Sequence, residues 1–427
     1  ATEEVKKGIS YGLQIAGANI FKLLPSLVIT GAVTSSAKDP VWKYKWVEAH
    51  EPEVFKKIYK WLDVKDYLIC RCTKEFTMTD DTAFGTLIYD NRPDKGGCFS
   101  KKMCKMFNIN MDHLPRIIRS TDVAGELCEE AAKELGLKAG TKVFGGGGDS
   151  SLIGIGAGAT QVGDTHVYVG TSGWVITVTD KRMVDTSAMI AAITGADAGK
   201  FNYFAEMETA GKCYEWVHDH LALDEINIYL EQYGKHPGFE GERRTMYEFL
   251  NETIKDVKPG SNGVIFTPWL HGNRCPFEDP HCTGMFFGLK IDTGKRDMIR
   301  SVLEGIYYHL RWMMECESKK LDIKDTIRFC GGGALSPIAC QILCDILGKK
   351  LEVVDHPQNV GAMGAAAVMG IGLGLIKDFD EVKGYIPVKA TFEPNMENHK
   401  LYEPYYQTFK RLHKANKKMF TLIEGDK

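Results

Sequence analysis

Three things are scarce in this chain of 427 residues: paired cysteines, long apolar runs and net charge. Twelve cysteines are present, yet none forms a CxxC pair. Cys70 and Cys72 stand one residue apart, and Cys340 and Cys344 stand four apart on an expected helix. Neither spacing suits a structural zinc site, so no metal ligands are assigned. The thiols read as reduced, mostly buried groups of a cytoplasmic protein rather than a disulfide scaffold. The longest stretch free of Asp, Glu, Lys and Arg runs from His356 to Ile376, and its first four residues are polar. Its Gly and Ala content suits packing inside a protein rather than a bilayer. The first ten residues, ATEEVKKGIS, are charged and contain no apolar signal core. A net charge of −3 supplies no electrostatic pull toward nucleic acid or an anionic membrane.

The length calls for two domains, since one hydrophobic core seldom serves so many residues. Composition is that of a globular chain, 44% hydrophobic and 26% charged. The first third is helical and polar. Glu51 to Leu62 sets Val54, Ile58, Trp61 and Leu62 on one helical face, and Glu126 to Leu135 does the same before a capping Gly136. Thr141 to Gly145 reads as a buried strand entering a glycine turn and a helix. His166 to Val169 and Trp174 to Val178 read as a hairpin. The domain boundary is placed just before it, giving domains 1–159 and 160–427. Further on, Met298 to Met313 is an amphipathic helix. Strand, helix, strand and helix then follow over Ile327–Cys330, Ile338–Leu347, Leu351–Val354 and Val360–Gly372. The class is α/β with mixed sheets.

Among the 44 glycines, three dense runs stand out. Gly145 to Gly148 leads into Asp149 at a helix start. Taken alone, Asp149 is a helix N-cap. Four glycines exceed what a cap needs, and a place where backbones meet a substrate accounts for them better. Gly170-Thr171-Ser172-Gly173 is either a plain tight hairpin or a turn whose N–H and hydroxyl groups hold phosphate oxygens. Gly331-Gly332-Gly333-Ala334-Leu335-Ser336 lies between a strand and a helix, so the helix start can face an anion or a base edge. It matches neither a P-loop, which requires a following Lys-Ser/Thr, nor a dinucleotide GxGxxG fingerprint. His271 and His281 have no third ligand at metal spacing. The basic Ser100 to Lys105 reads as a solvated helix face, and Trp42 and Trp46 as packing.

In that order the runs resemble the FGGY family of carbohydrate kinases, the xylulokinases most of all, over nearly the whole chain. Pro40 to Phe55, with Lys43 and Trp46, resembles the family's first signature, and Asp66 to Asp90 its DYL…TD segment. GGGGDSS is similar to the catalytic-aspartate motif and GTSG to the second phosphate hairpin. Thr209-Ala210-Gly211 falls at a nucleotide-contacting glycine. Gly272 to Pro276 is similar to the GERxP loop, and Gly331 to Gly348 with the following NVGAMGAAAV to the adenosine-side signature. Three positions depart: Asn273 for Glu, Gln358 near a usual Glu, and Ser150 where xylulokinases often have Asn.

The resemblance implies an α/β protein of two actin-like (ribonuclease H-like) domains with a cleft between them. It implies transfer of the γ-phosphoryl group of ATP, with Mg²⁺, to a sugar hydroxyl, xylulose being the first expectation. Asp149 would accept the hydroxyl proton. Gly170 and Thr171 would hold phosphate oxygens. Gly211, Gly332, Gly333, Ala334 and Ser336 would line the base and ribose. The other readings are a gluconate, ribulose or polyol kinase, an inactive nucleotide- or sugar-binding relative, and an actin-like ATPase. A homodimer is the expected assembly, with neither nucleic acid nor membrane as partner. Family members open with a strand–DxGT–strand hairpin and a later WxDxR-like segment, and neither string occurs here. The expectation is a first domain incomplete at its start, with apolar surface left uncovered and little kinase activity of its own.

Overall fold

The structure, a computed structural model, describes residues 1–15, 18–34, 36–222, 224, 227–228 and 246–424. Gly173–Thr179 is β-branched or aromatic at almost every position and wholly buried. It forms the middle of an eight-stranded sheet. The strand order is Val184–Asp185, Ile190–Thr194, Phe201–Met207, Gly173–Thr179, Thr165–Val169, Thr326–Cys330, Lys350–Val354 and Val388–Phe392. Thr326–Cys330 runs parallel to both its neighbours, and the remaining pairs are antiparallel. The parallel pair needs a crossover, which the Pro337–Leu347 helix supplies.

Because successive side chains of a strand point to opposite faces, this sheet serves two cores. Val167, Val169, Val175, Tyr203, Ala205 and Met207 pack one way, into a large cluster with the helices Lys295–Ser318, Pro337–Leu347 and Met396–Glu424. Trp174 and Ile176 pack the other way, with Tyr168 and Phe204 beside them. Against this second face lie the helices Asp149–Gly156 and Val360–Gly372. These two helices touch backbone to backbone. A Cβ on Gly156 would stand 1.8 Å from the Val360 carbonyl oxygen, and one on Gly364 would stand 1.9 Å from that of Leu152.

The first part is built on a separate cluster around Trp42, Tyr44, Met78, Ile88, Met103 and Phe107. Its strands come in short pairs, such as Thr77–Thr79 beside Arg116–Ile118 and Val123–Glu126 beside Lys142–Phe144. Near its start Tyr11, Leu13, Phe21, Leu24 and Val28 are exposed. Among the described residues no helix is long and apolar enough to cross a membrane.

Three local expectations change. The helix read over 51–62 stops after Pro52–Phe55. The chain then extends so that Phe55 and Trp61 both pack on Tyr44, with ring centroids 5.1 Å and 4.9 Å away. The helix read from Glu126 starts at Glu129, because Val123–Glu126 is taken by a strand; Gly136 caps it in the left-handed conformation, as expected. Lys142–Phe144 is a strand of which only Phe144 is buried. The hairpin, the Lys295–Ser318 helix and the strand–helix alternation after it fall where the sequence places them.

Candidate active site

The run 145–148 is glycine for steric reasons. Gly146 sits at φ +68°, and a Cβ on Gly145 or Gly147 would strike the Arg119 carbonyl or the Asp81 carboxylate at 2.7 Å and 2.9 Å. Asp81, held by the Thr79 hydroxyl at 2.6 Å, accepts the Gly148 N–H at 2.7 Å. Gly148 is therefore the N-cap of the Asp149–Gly156 helix, and Asp149 is its first residue. The Asp149 side chain is exposed and, among the described residues, accepts only the N–H of Ser150, at 2.7 Å. The capping alternative for Asp149 is thereby set aside. Its carboxylate is free for a substrate.

The hairpin turn 170–173 and the glycine turn 331–333 meet around Val169. A Cβ on Gly331 would lie 2.5 Å from the Val169 carbonyl oxygen, and one on Gly333 would lie 2.8 Å from Val169 Cβ. Gly211 closes the group from a third side, its N–H donating to the Gly170 carbonyl at 2.8 Å. The Gly170 N–H is itself spent on the Ser172 carbonyl at 3.0 Å. The donors that the turn leaves available to a phosphate are the N–H and hydroxyl groups of Thr171 and Ser172, which donate to no described residue.

Gly170, Thr171, Gly211, Gly332, Gly333 and Ser336 all line one cavity of about 350 Å³. Tyr214, Tyr247 and Tyr307 give it aromatic walls, and Asn251 a polar one. Its size and mixed lining suit a nucleoside. Ala334 alone among the residues read as nucleotide contacts is not in that lining. It is buried behind the turn, and its carbonyl accepts the Cys340 thiol at 3.4 Å. Ser336 has a second task, capping the Pro337–Leu347 helix through the Ala339 N–H at 3.4 Å. Burial, then Cys330 and then Asp149, hold the Tyr168 phenol against ionisation, so Asp149 lies within electrostatic reach of this group.

A second cavity, of about 650 Å³, opens between residues 32–39 and the far strands of the sheet. Sequence reasoning missed it because its charged residues come from separate segments without a shared motif. Arg274 pairs with Glu206 and, at 3.5 Å, with Glu208. Lys38 reaches Glu208 at 3.2 Å. Burial pushes the Asp39 carboxyl up to about 6, against the pull of its Ser36 N–H bond and of Arg274. Arg274 belongs to the GNRCP loop, and the Asn273 departure has a structural use there. Its amide donates to the carbonyls of Cys275 and Phe277 at 3.1 Å and 2.9 Å, which a carboxylate could not do. Buried His309 donates from Nε2 to the same Cys275 carbonyl at 2.7 Å and accepts the Trp269 indole N–H at 3.3 Å. The loop is thereby fixed beneath Arg274.

Residues 26–156 match the N-terminal domain model, and residues 166–373 the C-terminal domain model, of the FGGY family of carbohydrate kinases. The xylulose kinase of Staphylococcus epidermidis is 30% identical over 378 residues, which is 88% of this chain and 71% of that protein. The gluconokinase of Bacillus subtilis is 26% identical, over 90% of this chain and 72% of the relative. A ligand-bound xylulose kinase structure from Lactobacillus acidophilus superposes with a TM-score of 0.80 at 24% identity, covering 92% of this chain and 75% of that one.

Proposed function

The chain belongs to the FGGY family of carbohydrate kinases and has its two-domain, actin-like fold, and from that premise we propose that it phosphorylates a pentulose, xylulose first, with ATP as donor. The carrying observation is the gathering of the 170–173 turn, Gly211 and the 331–333 turn around one nucleoside-sized cavity, with the exposed carboxylate of Asp149 within electrostatic reach of Tyr168 behind that turn.

In this reading Asp149 takes the proton of the sugar hydroxyl as its oxygen attacks the γ-phosphorus, and ADP leaves. Thr171 holds phosphate oxygens through its N–H and hydroxyl. Gly211, Gly332, Gly333 and Ser336 border the base and ribose, with Ala334 supporting the turn from behind. Magnesium, when bound, neutralises phosphate charge. Among the described residues no group of three or more ligating side chains could hold such an ion by itself. The ion would ride on the nucleotide, and no step is assigned to it. The division near Thr160, a cytoplasmic setting and a homodimer belong to the same proposal. Twelve unpaired thiols support the setting.

The sugar is placed in the second cavity. Its lining holds four carboxylates, on Asp39, Glu206, Glu208 and Glu278, against two cations, on Lys38 and Arg274. That balance favours a neutral polyhydroxyl compound over a sugar acid such as gluconate. A coupled ADP-release screen of the full-length gene product should show turnover with xylulose well above that with gluconate. Preference for gluconate would overturn the assignment.

Asp39 also sets a pH signature. With its carboxyl raised to about 6, it loses its proton as the pH rises from 5 to 7. The carboxylate is the better acceptor for sugar hydroxyls, so KM for a neutral sugar should fall over that interval. Asp39→Asn should flatten that inflection. An unchanged profile in the variant would remove Asp39 from the sugar site.

A further inference from the structure

The aromatic row across the sheet joins the two cavities, and its first member has no task in the mechanism above. Thr165–Val169 alternates, so Val167 and Val169 enter the large core while His166 and Tyr168 face the Asp149–Gly156 helix. In the antiparallel register Tyr168 stands opposite Trp174, and Trp174 opposite Glu206 of the sugar cavity. The Tyr168 and Trp174 rings stack at 4.1 Å with an interplanar angle of 16°. Phe204, in the sugar-cavity wall, meets Trp174 edge-on at 6.1 Å. Beneath them His166 fixes the indole by accepting its N–H at 3.2 Å.

The Tyr168 ring is wedged on two further sides. A Cβ on Gly170 would stand 2.5 Å from its hydroxyl, and one on Gly331 would stand 2.9 Å from its Cε2. Both glycines leave room for this ring. Yet the hydroxyl bonds to no described residue, and the side chain remains partly open. A phenol fixed on three sides, with its one polar atom unused, abuts the turn that offers Thr171 and lies within electrostatic reach of Asp149.

We propose that the Tyr168 hydroxyl is a catalytic hydrogen-bond donor to a non-bridging oxygen of the phosphoryl group as it passes from the 170–173 turn to the sugar oxygen at Asp149. The inference rests on the kinase reading of those two elements. The phenol makes and breaks no covalent bond and keeps its proton throughout. Burial, with Cys330 and Asp149 nearby, raises its pKa and so holds that proton in place. Charge spreads over the equatorial oxygens in the transition state, so a prepositioned donor there acts more strongly than in the ground state.

Tyr168→Phe in the full-length protein removes the oxygen and retains the stack on Trp174. The expected result is a fall in kcat of about 10²-fold, the usual worth of one such donor, with the Kd for ADP and the melting temperature unchanged. A kcat within about threefold of the parent would overturn the proposal. So would a loss expressed equally as weaker ADP binding, because that marks a ground-state or packing role. Asp149→Asn is measured in parallel. If it is inactive while Tyr168→Phe is normal, only the tyrosine inference fails. If both turn over normally, the site reading itself fails.

Discussion

Asp149→Asn should lower kcat for sugar phosphorylation by roughly 10²–10⁴-fold while leaving nucleotide affinity nearly unchanged. The two halves of that result have separate causes. An amide cannot take the proton of the attacking hydroxyl, so the base is lost. The nucleotide cavity, by contrast, is bordered by the 170–173 and 331–333 turns and Gly211, and Asp149 is not in its lining. Nor should the fold suffer. Asp149 accepts a single bond, from its neighbour's N–H, while the cap of the helix is Gly148 bound to Asp81. The measurement is steady-state kinetics with ADP calorimetry on the full-length protein. Turnover within about tenfold of the parent would take this carboxylate out of the chemistry.

The second large effect is expected far from any substrate. Gly364→Ala places a methyl group 1.9 Å from the carbonyl oxygen of Leu152. The obstacle is backbone, so no side chain can swing aside, and the Val360–Gly372 and Asp149–Gly156 helices must separate. Overpacking of this kind costs about 1–3 kcal/mol, read as a melting temperature several degrees lower. Activity should fall further than stability alone explains, because Asp149 opens one of the two displaced helices and small misplacements cost large factors in rate. Gly384→Ala is the control. It lies in the Phe379–Tyr385 helix with nothing within 4 Å of the added Cβ, and alanine favours helix. Equal melting temperatures for the two variants would show that the helix contact yields more easily than its geometry says.

What the sequence disclosed, it disclosed locally. Glycine turns, a hairpin and helix starts each declare themselves within ten residues, while the family resemblance singled out Gly170, Thr171, Gly211, Gly332, Gly333 and Ser336, which line one cavity. Ala334 shows the limit, since a string cannot tell which residue of a turn faces outward. The 51–62 segment misleads for a related reason. Its apolar spacing suits a helix, but Tyr44 draws Phe55 and Trp61 onto its ring, and that contact overrides the local period. The sugar cavity was illegible because Lys38, Glu206 and Arg274 meet only after folding. The stack of Tyr168 on Trp174 depends likewise on strand register.

The two-sided sheet has a consequence for how such an enzyme can change. Val167 and Val169 on Thr165–Val169, with Tyr203 and Ala205 on Phe201–Met207, build the large interior, while Phe204 and Glu206 on the latter strand line the second cavity. Inheritance can therefore edit the two sets almost independently. A mutational library confined to Phe204 and Glu206 should yield many folded variants with altered substrate preference. The same diversity spent on Val167, Val169, Tyr203 and Ala205 should yield mostly unfolded protein. Side by side on one strand, adaptation and architecture are governed by different selection.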